Sequence, residues 1–160
     1  MKKLRIYLDT SVINFLFADD SKEFCQVTKD FFAVYADRYD LFVSQIVLLE
    51  INRTPDSTHR NRLSKVIRDY AIKVLPDDDA NQIKKLADLY TKKGVIPANK
   101  MEDALHVAYA TVCKMDILLS WNFKHLANIN KEAKILAVNN EEGYHYPLRL
   151  LSPLEVEDEN

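Results

Sequence analysis

Short apolar stretches alternate with longer amphipathic ones along this chain, and none of the junctions carries the Asn-Gly or Asp-Gly signal of a tight hairpin. Strands joined through helices instead of two-residue turns pair in parallel, because a parallel neighbour needs a crossover connection. The apolar and β-branched stretches at 4–8 (LRIYL), 40–44 (DLFVS), 71–75 (AIKVL), 116–120 (DILLS) and 148–152 (LRLLS) predict five strands. Helical periodicity predicts helices over 22–38, 45–53, 57–70, 78–93, 100–114 and 128–141, with a further one beginning near Val12. The segment 100–114 is apolar almost all the way round, which marks a central helix. The expected fold is a three-layer α/β domain: a central parallel sheet of about five strands flanked by helices. It spans residues 1–153, and the acidic stretch 154–160 is expected to be a frayed tail.

Open parallel sheets bind ligands beyond the carboxyl ends of their strands, which sorts the acidic residues by position. Asp9 ends the first strand although ionised aspartate is rarely buried without a partner. Glu50 lies one to two turns into the helix leaving the second strand, and Asn122 stands just past the fourth. Asp103, in the first turn of the central helix, reaches the same rim only if that helix is suitably placed. Asp40 and Asp116 begin their strands and belong at the other end. Glu102 is turned about 100° from Asp103 and is not expected in the same pocket.

In order along the chain, YLDTSVIN, VLLEI, EDALHVAYAT and LLSWNFKHLAN resemble the PIN-domain family of metal-dependent nucleases, and within it the VapC-like toxins of toxin–antitoxin pairs. The resemblance covers roughly residues 4 to 152. It implies that Asp9, Glu50 and Asp103 gather at one end of the sheet and bind Mg²⁺ or Mn²⁺, as one ion or two. It places Asn122 at a fourth catalytic position that is often aspartate in relatives. It further implies an RNA substrate, a small antitoxin that inhibits the site, and often a homodimer. Such chemistry suits the residues: Mg²⁺ takes hard oxygen ligands and keeps several waters, and neighbouring carboxylates raise one another's pKa until a cation neutralises them.

Other residues near these strings carry two readings each. Thr10 and Ser11 orient a water or phosphate, or else cap the following helix. Lys124 and His125 are candidates for touching phosphate, whereas Trp121 is expected to pack locally. His106, one turn after Asp103, reads as a packed histidine that could hydrogen-bond it.

Composition narrows the alternatives. With 2 glycines in 160 residues there is no phosphate loop of either nucleotide-binding type, and a net charge of −2 offers no global field for nucleic acid. Local basic runs such as HRNRLSKVIR at 59–68 are either a solvated helix face or a phosphate stripe. Cys25 and Cys113 form no C-x-x-C pair and read as free thiols. No apolar run approaches the ~20 residues of a membrane span, and Asp9 interrupts the apolar stretch near the amino terminus, so a cytoplasmic protein is expected. Two competing functions stand beside the nuclease. One is a haloacid-dehalogenase-type phosphatase using Asp9, which wants a second aspartate where Ser11 stands; the other is a non-catalytic domain that binds RNA or protein.

Overall fold

A computed structural model describes residues 2–156. Five strands, β1 (Leu4–Leu8), β2 (Tyr39–Val43), β3 (Lys73–Val74), β4 (Ile117–Leu119) and β5 (Arg149–Leu151), form one sheet in the order β3-β2-β1-β4-β5 with every pair parallel. The helices are α1 (Thr10–Phe15), α2 (Lys22–Asp30), α3 (Gln45–Asn52), α4 (Ser57–Asp69), α5 (Ala80–Lys92), α6 (Met101–Val112), α7 (Ile129–Glu141) and a single turn, α8 (Pro153–Val156). The expected architecture, a parallel sheet flanked by helices, is the one observed. No helix among the described residues is long and apolar enough to cross a membrane.

Three details depart from expectation. The helix anticipated over 22–38 is α-helical only to Asp30; Phe31–Tyr35 form a π-helical turn and Ala36–Arg38 a 3₁₀ turn. Two adjacent aromatic rings, Phe31 and Phe32, are both buried there in edge-to-face contact. Consecutive side chains of a regular α-helix point about 100° apart, and the wider turn lets both reach the core. The third strand shrinks to two exposed edge residues because Ala71, at φ 51°, is still turning the chain. Finally, Pro153–Val156 are helical and Val156 is buried, so the chain is packed to that point; the rest of the expected tail, 157–160, lies outside the described residues.

The sheet order carries the functional consequence. From β1 the chain builds outward through β2 to β3, then returns to the other side of β1 for β4 and β5. The connections therefore diverge at the carboxyl ends of β1 and β4, the point where parallel α/β sheets open a crevice. Leu8 and Leu119 are register partners there, so the residues that follow them, Asp9 and Ser120, emerge side by side.

Helix α6 is buried through Ala104, His106, Val107, Ala108, Tyr109, Ala110 and Thr111, and packs along α5. The Tyr90 hydroxyl donates to Asn139 Oδ1, and Asn139 Nδ2 donates to Thr111 Oγ1, tying α5, α6 and α7 through buried polar groups that satisfy one another. These contacts fix the helix that carries Asp103 and His106. Trp121 packs across the fold against α2: it stacks on Phe24 with ring centroids 4.4 Å apart and donates from Nε1 to Thr28 Oγ1. Cys25 and Cys113 are free thiols.

Candidate active site

Asp9 leaves β1 with its backbone N–H bound to the Leu119 carbonyl, and the residue is only 4% exposed. Both carboxylate oxygens are held by hydroxyls: Ser11 Oγ donates to Oδ1 and Ser120 Oγ to Oδ2, each at 2.5 Å. Each serine is oriented in turn by a backbone amide, Trp121 N on Ser11 and Asn122 N on Ser120. Ser11 thus serves the carboxylate rather than capping α1. Thr10 is buried, and its hydroxyl has no hydrogen-bond partner among the described residues.

Glu50 comes from the second turn of α3, a helix capped where the Ser44 hydroxyl accepts the Ile46 amide. Its Oε1 accepts a hydrogen bond from His106 Nε2 at 2.7 Å. Asp103 stands in the first turn of α6, where the helix dipole favours a negative charge, and accepts at Oδ2 from Asn122 Nδ2 at 3.2 Å. Asn122 Oδ1 accepts the His125 amide, so Asn122 is fixed at both ends of its side chain.

An open cleft of about 460 Å³ is lined by Glu50, Lys100, Glu102, Asp103 and Asn122, together with residues of the turn preceding α6. Glu102 belongs to this rim, contrary to expectation. The cleft passes over the first turn of α6, where two successive residues both edge it, and the Glu102 carboxylate is engaged by Arg53. Lys124 is exposed and does not line the cleft; His125 lies close enough to feel the Asp103 charge, and its Nδ1 is buried without a partner among the described residues.

The electrostatics bind the three acids into one site. Burial pushes the Asp9 pKa above the ordinary carboxylate value, and the Asp103 charge adds to the rise. Burial likewise raises Asp103, with Glu50 adding to it and His106 and His125 opposing. His106 sits between them: burial disfavours its imidazolium, yet the bond to Glu50 and the charges of Asp9, Glu50 and Asp103 outweigh that and lift its pKa. Three carboxylates distant in sequence therefore act on one buried imidazole.

A model of the PIN domain matches residues 6–130. The chain belongs to the PIN domain family, a family of nucleases that generally use divalent metal ions. Among solved structures, its PIN fold is shared with a crystal structure of VapBC2 from Rickettsia felis bound to a DNA fragment from their promoter. The match has a TM-score of 0.56 and 17% identity, and covers 76% of this chain and 90% of that one. No curated protein matches the sequence.

Do the residues of this PIN domain suit a divalent ion? Among the described residues, no three His, Cys, Asp or Glu side chains form a ready-made cage. Mg²⁺ does not need one, since it usually takes one or two carboxylates and keeps its remaining waters. The donors on the open cleft, Glu50, Asp103 and Asn122, are hard oxygens, and burial penalises the charge of Asp103 and of the buried Asp9. Both features fit a hydrated cation better than a tetrahedral zinc centre.

Sequence position points to Asp9, Glu50 and Asn122, the family resemblance adds Asp103, and both miss Ser120. Ser120 needs the strand order, which makes it Asp9's neighbour. His106 stands out in the sequence with Asp103 as its possible partner; the structure gives it Glu50 instead.

Proposed function

We propose that this PIN domain is a metal-dependent endoribonuclease and the VapC-like toxin of a toxin–antitoxin pair. The observation that carries the reading is the hydrogen-bonded linkage of the acids at the switch point of the sheet: Ser120 joins Asp9 to Asn122, Asn122 donates to Asp103, and His106, one turn after Asp103, donates to Glu50. Asp9, Glu50 and Asp103 would hold Mg²⁺ or Mn²⁺, as one ion or two. When bound, such an ion supplies an acidified water as nucleophile and charge neutralisation for the phosphodiester.

The chain's own groups do the rest. Ser11 and Ser120 hold Asp9 by one lone pair on each oxygen and leave its remaining lone pairs for the cation. Asn122 orients Asp103 without adding a fourth negative charge, which weakens the hold on a second ion. Lys100, on the cleft wall, offers a cation to an RNA phosphate; Lys124 and His125 are further candidates for substrate contact, whereas Thr10 is buried. The expected products carry 5′-phosphate and 3′-hydroxyl ends.

The name of the Rickettsia felis complex supports an antitoxin partner for this chain too, and a homodimer is part of the same reading. The phosphatase alternative fits poorly: it wants a second aspartate two residues after Asp9, and Ser11 stands there with its hydroxyl donating to Asp9 Oδ1. Purified protein is expected to cut RNA with Mn²⁺, to stop with EDTA, and to fall in rate by about 10²–10³-fold in Asp9→Asn, the scale of removing one key electrostatic group. Undiminished cleavage by Asp9→Asn would defeat the reading, and absence of any cleavage would favour the non-catalytic alternative.

A further inference from the structure

A buried hydrogen-bond chain runs from the sheet to the cleft. Ser44 Oγ lies 2.7 Å from the Tyr7 hydroxyl, which lies 2.6 Å from His106 Nδ1, and His106 Nε2 lies 2.7 Å from Glu50 Oε1. Ser44 and Tyr7 are fully buried and His106 is 2% exposed, whereas Glu50 reaches the cleft. Four elements contribute one member each: the residue after β2, strand β1, helix α6 and helix α3. The chain closes on itself, because Ser44 is also the cap of the helix that carries Glu50.

Hydrogen bookkeeping gives each member a direction. An ionised Glu50 has only acceptors, so Nε2 must carry the hydrogen between them. A neutral imidazole then has a bare Nδ1, and Tyr7 is the donor that fills it; the Tyr7 oxygen accepts from Ser44, whose oxygen already accepts from the Ile46 amide. Every hydrogen is used. The acceptor-only Glu50 thus fixes a hydrogen on Nε2, Tyr7 completes the neutral ring at Nδ1, and Nε2 donates to Glu50 whether or not Nδ1 also carries a proton. With Nε2 committed to Glu50 and Nδ1 to Tyr7 in the interior, His106 is not placed to ligate a metal.

We propose that His106, set by Tyr7 and Ser44, is a positioning residue that locks Glu50 Oε1 and presents Oε2 to the divalent cation. This rests on the nuclease reading above. Partners of this kind, one layer behind a metal ligand, typically change metal affinity 10–100-fold when removed.

The test is calorimetric titration of Mn²⁺ into the full-length protein stripped with EDTA, with circular dichroism and thermal melting to confirm the fold of each variant. His106→Leu is expected to weaken Mn²⁺ binding by about 10–100-fold. His106→Gln, which keeps a donor towards Glu50, is expected to recover most of it. In a Glu50→Gln background the His106→Leu change is expected to add little, since the two act as one unit. A merely structural histidine would lower the melting temperature while leaving Mn²⁺ affinity unchanged, or would add its effect in full to that of Glu50→Gln; either result overturns the proposal. If His106→Leu does not fold, Tyr7→Phe takes its place, with a smaller loss of affinity and the same failure to add; wild-type affinity in Tyr7→Phe is then the overturning result. Wild-type protein that neither binds Mn²⁺ nor cuts RNA removes the nuclease reading and this proposal together. A wild type that does both beside an unaffected His106→Leu removes the proposal alone.

Discussion

The two ends of the sheet treat their carboxylates in opposite ways. At the amino ends of the strands, Asp116 accepts the Arg5 amide at 2.7 Å and the Tyr146 hydroxyl at 2.5 Å, in a surface cleft that also holds Lys2, Lys3, Arg5 and Lys114. Arg5 is itself anchored, donating to the Cys113 and Lys114 carbonyls and lying over the Phe42 ring. At the carboxyl ends, Glu50, Glu102 and Asp103 share a cleft with a single lysine, and Asp9 lies buried behind them under two serines. One end supplies its own cations. The other gathers negative charge, and burial penalises that charge at Asp9 and Asp103 even though hydroxyls, Asn122, His106 and Arg53 meet the carboxylates there.

That contrast can be broken by exchanging the roles of the two ends in experiment. The largest expected effect is on cleavage: Asp103→Asn should lower RNA hydrolysis by about 10²–10³-fold, whereas Asp116→Asn should leave it within about twofold. Comparable losses from both would mean that the acidic cleft is not special. Next comes stability. Asp116→Asn removes a charged acceptor from two hydrogen bonds and should cost about 1–3 kcal/mol in denaturant titrations, with or without EDTA.

The reverse sign is expected at the other end. Because burial raises the folded-state pKa of Asp103, its favourable contribution is present below the unfolded carboxylate value, near 4, and is lost as pH rises through the folded value. In EDTA at neutral pH, Asp103→Asn should therefore be as stable as wild type or better, with the gap closing below about pH 4. A gap that widens towards low pH would mean that the folded-state pKa of Asp103 is lowered instead. The smallest effect belongs to Glu102→Gln, which loses only the exposed ion pair with Arg53; less than about 0.5 kcal/mol is expected in stability, with RNA hydrolysis close to wild type.

How much of this is legible in the sequence follows from what each feature depends on. Strand and helix alternation is local, so the five strands and the long helices are readable, and Asp9, Glu50 and Asn122 follow from their places after strands. The order of the strands is not local. Knowing that β1 lies between β2 and β4 is what makes Ser120 a neighbour of Asp9 and turns three scattered acids into one site. His106 shows the same limit from the other side: an imidazole on an apolar helix looks like core packing until the helix is set against α3 and β1. The π-helical turn at Phe31–Tyr35 depends on which side chains the core admits, which periodicity over 22–38 does not encode.

If Asp9, Glu50 and Asp103 form one oxygen-lined socket for a divalent cation, diffraction from a crystal soaked in Mn²⁺ and recorded near the manganese absorption edge will reveal it. Anomalous density is predicted within coordination distance of these three carboxylates, bounded by Asn122 and accompanied by water. A peak elsewhere on the surface, or none beside Asp9, Glu50 and Asp103 at a Mn²⁺ concentration that supports RNA cleavage, would contradict the shared socket.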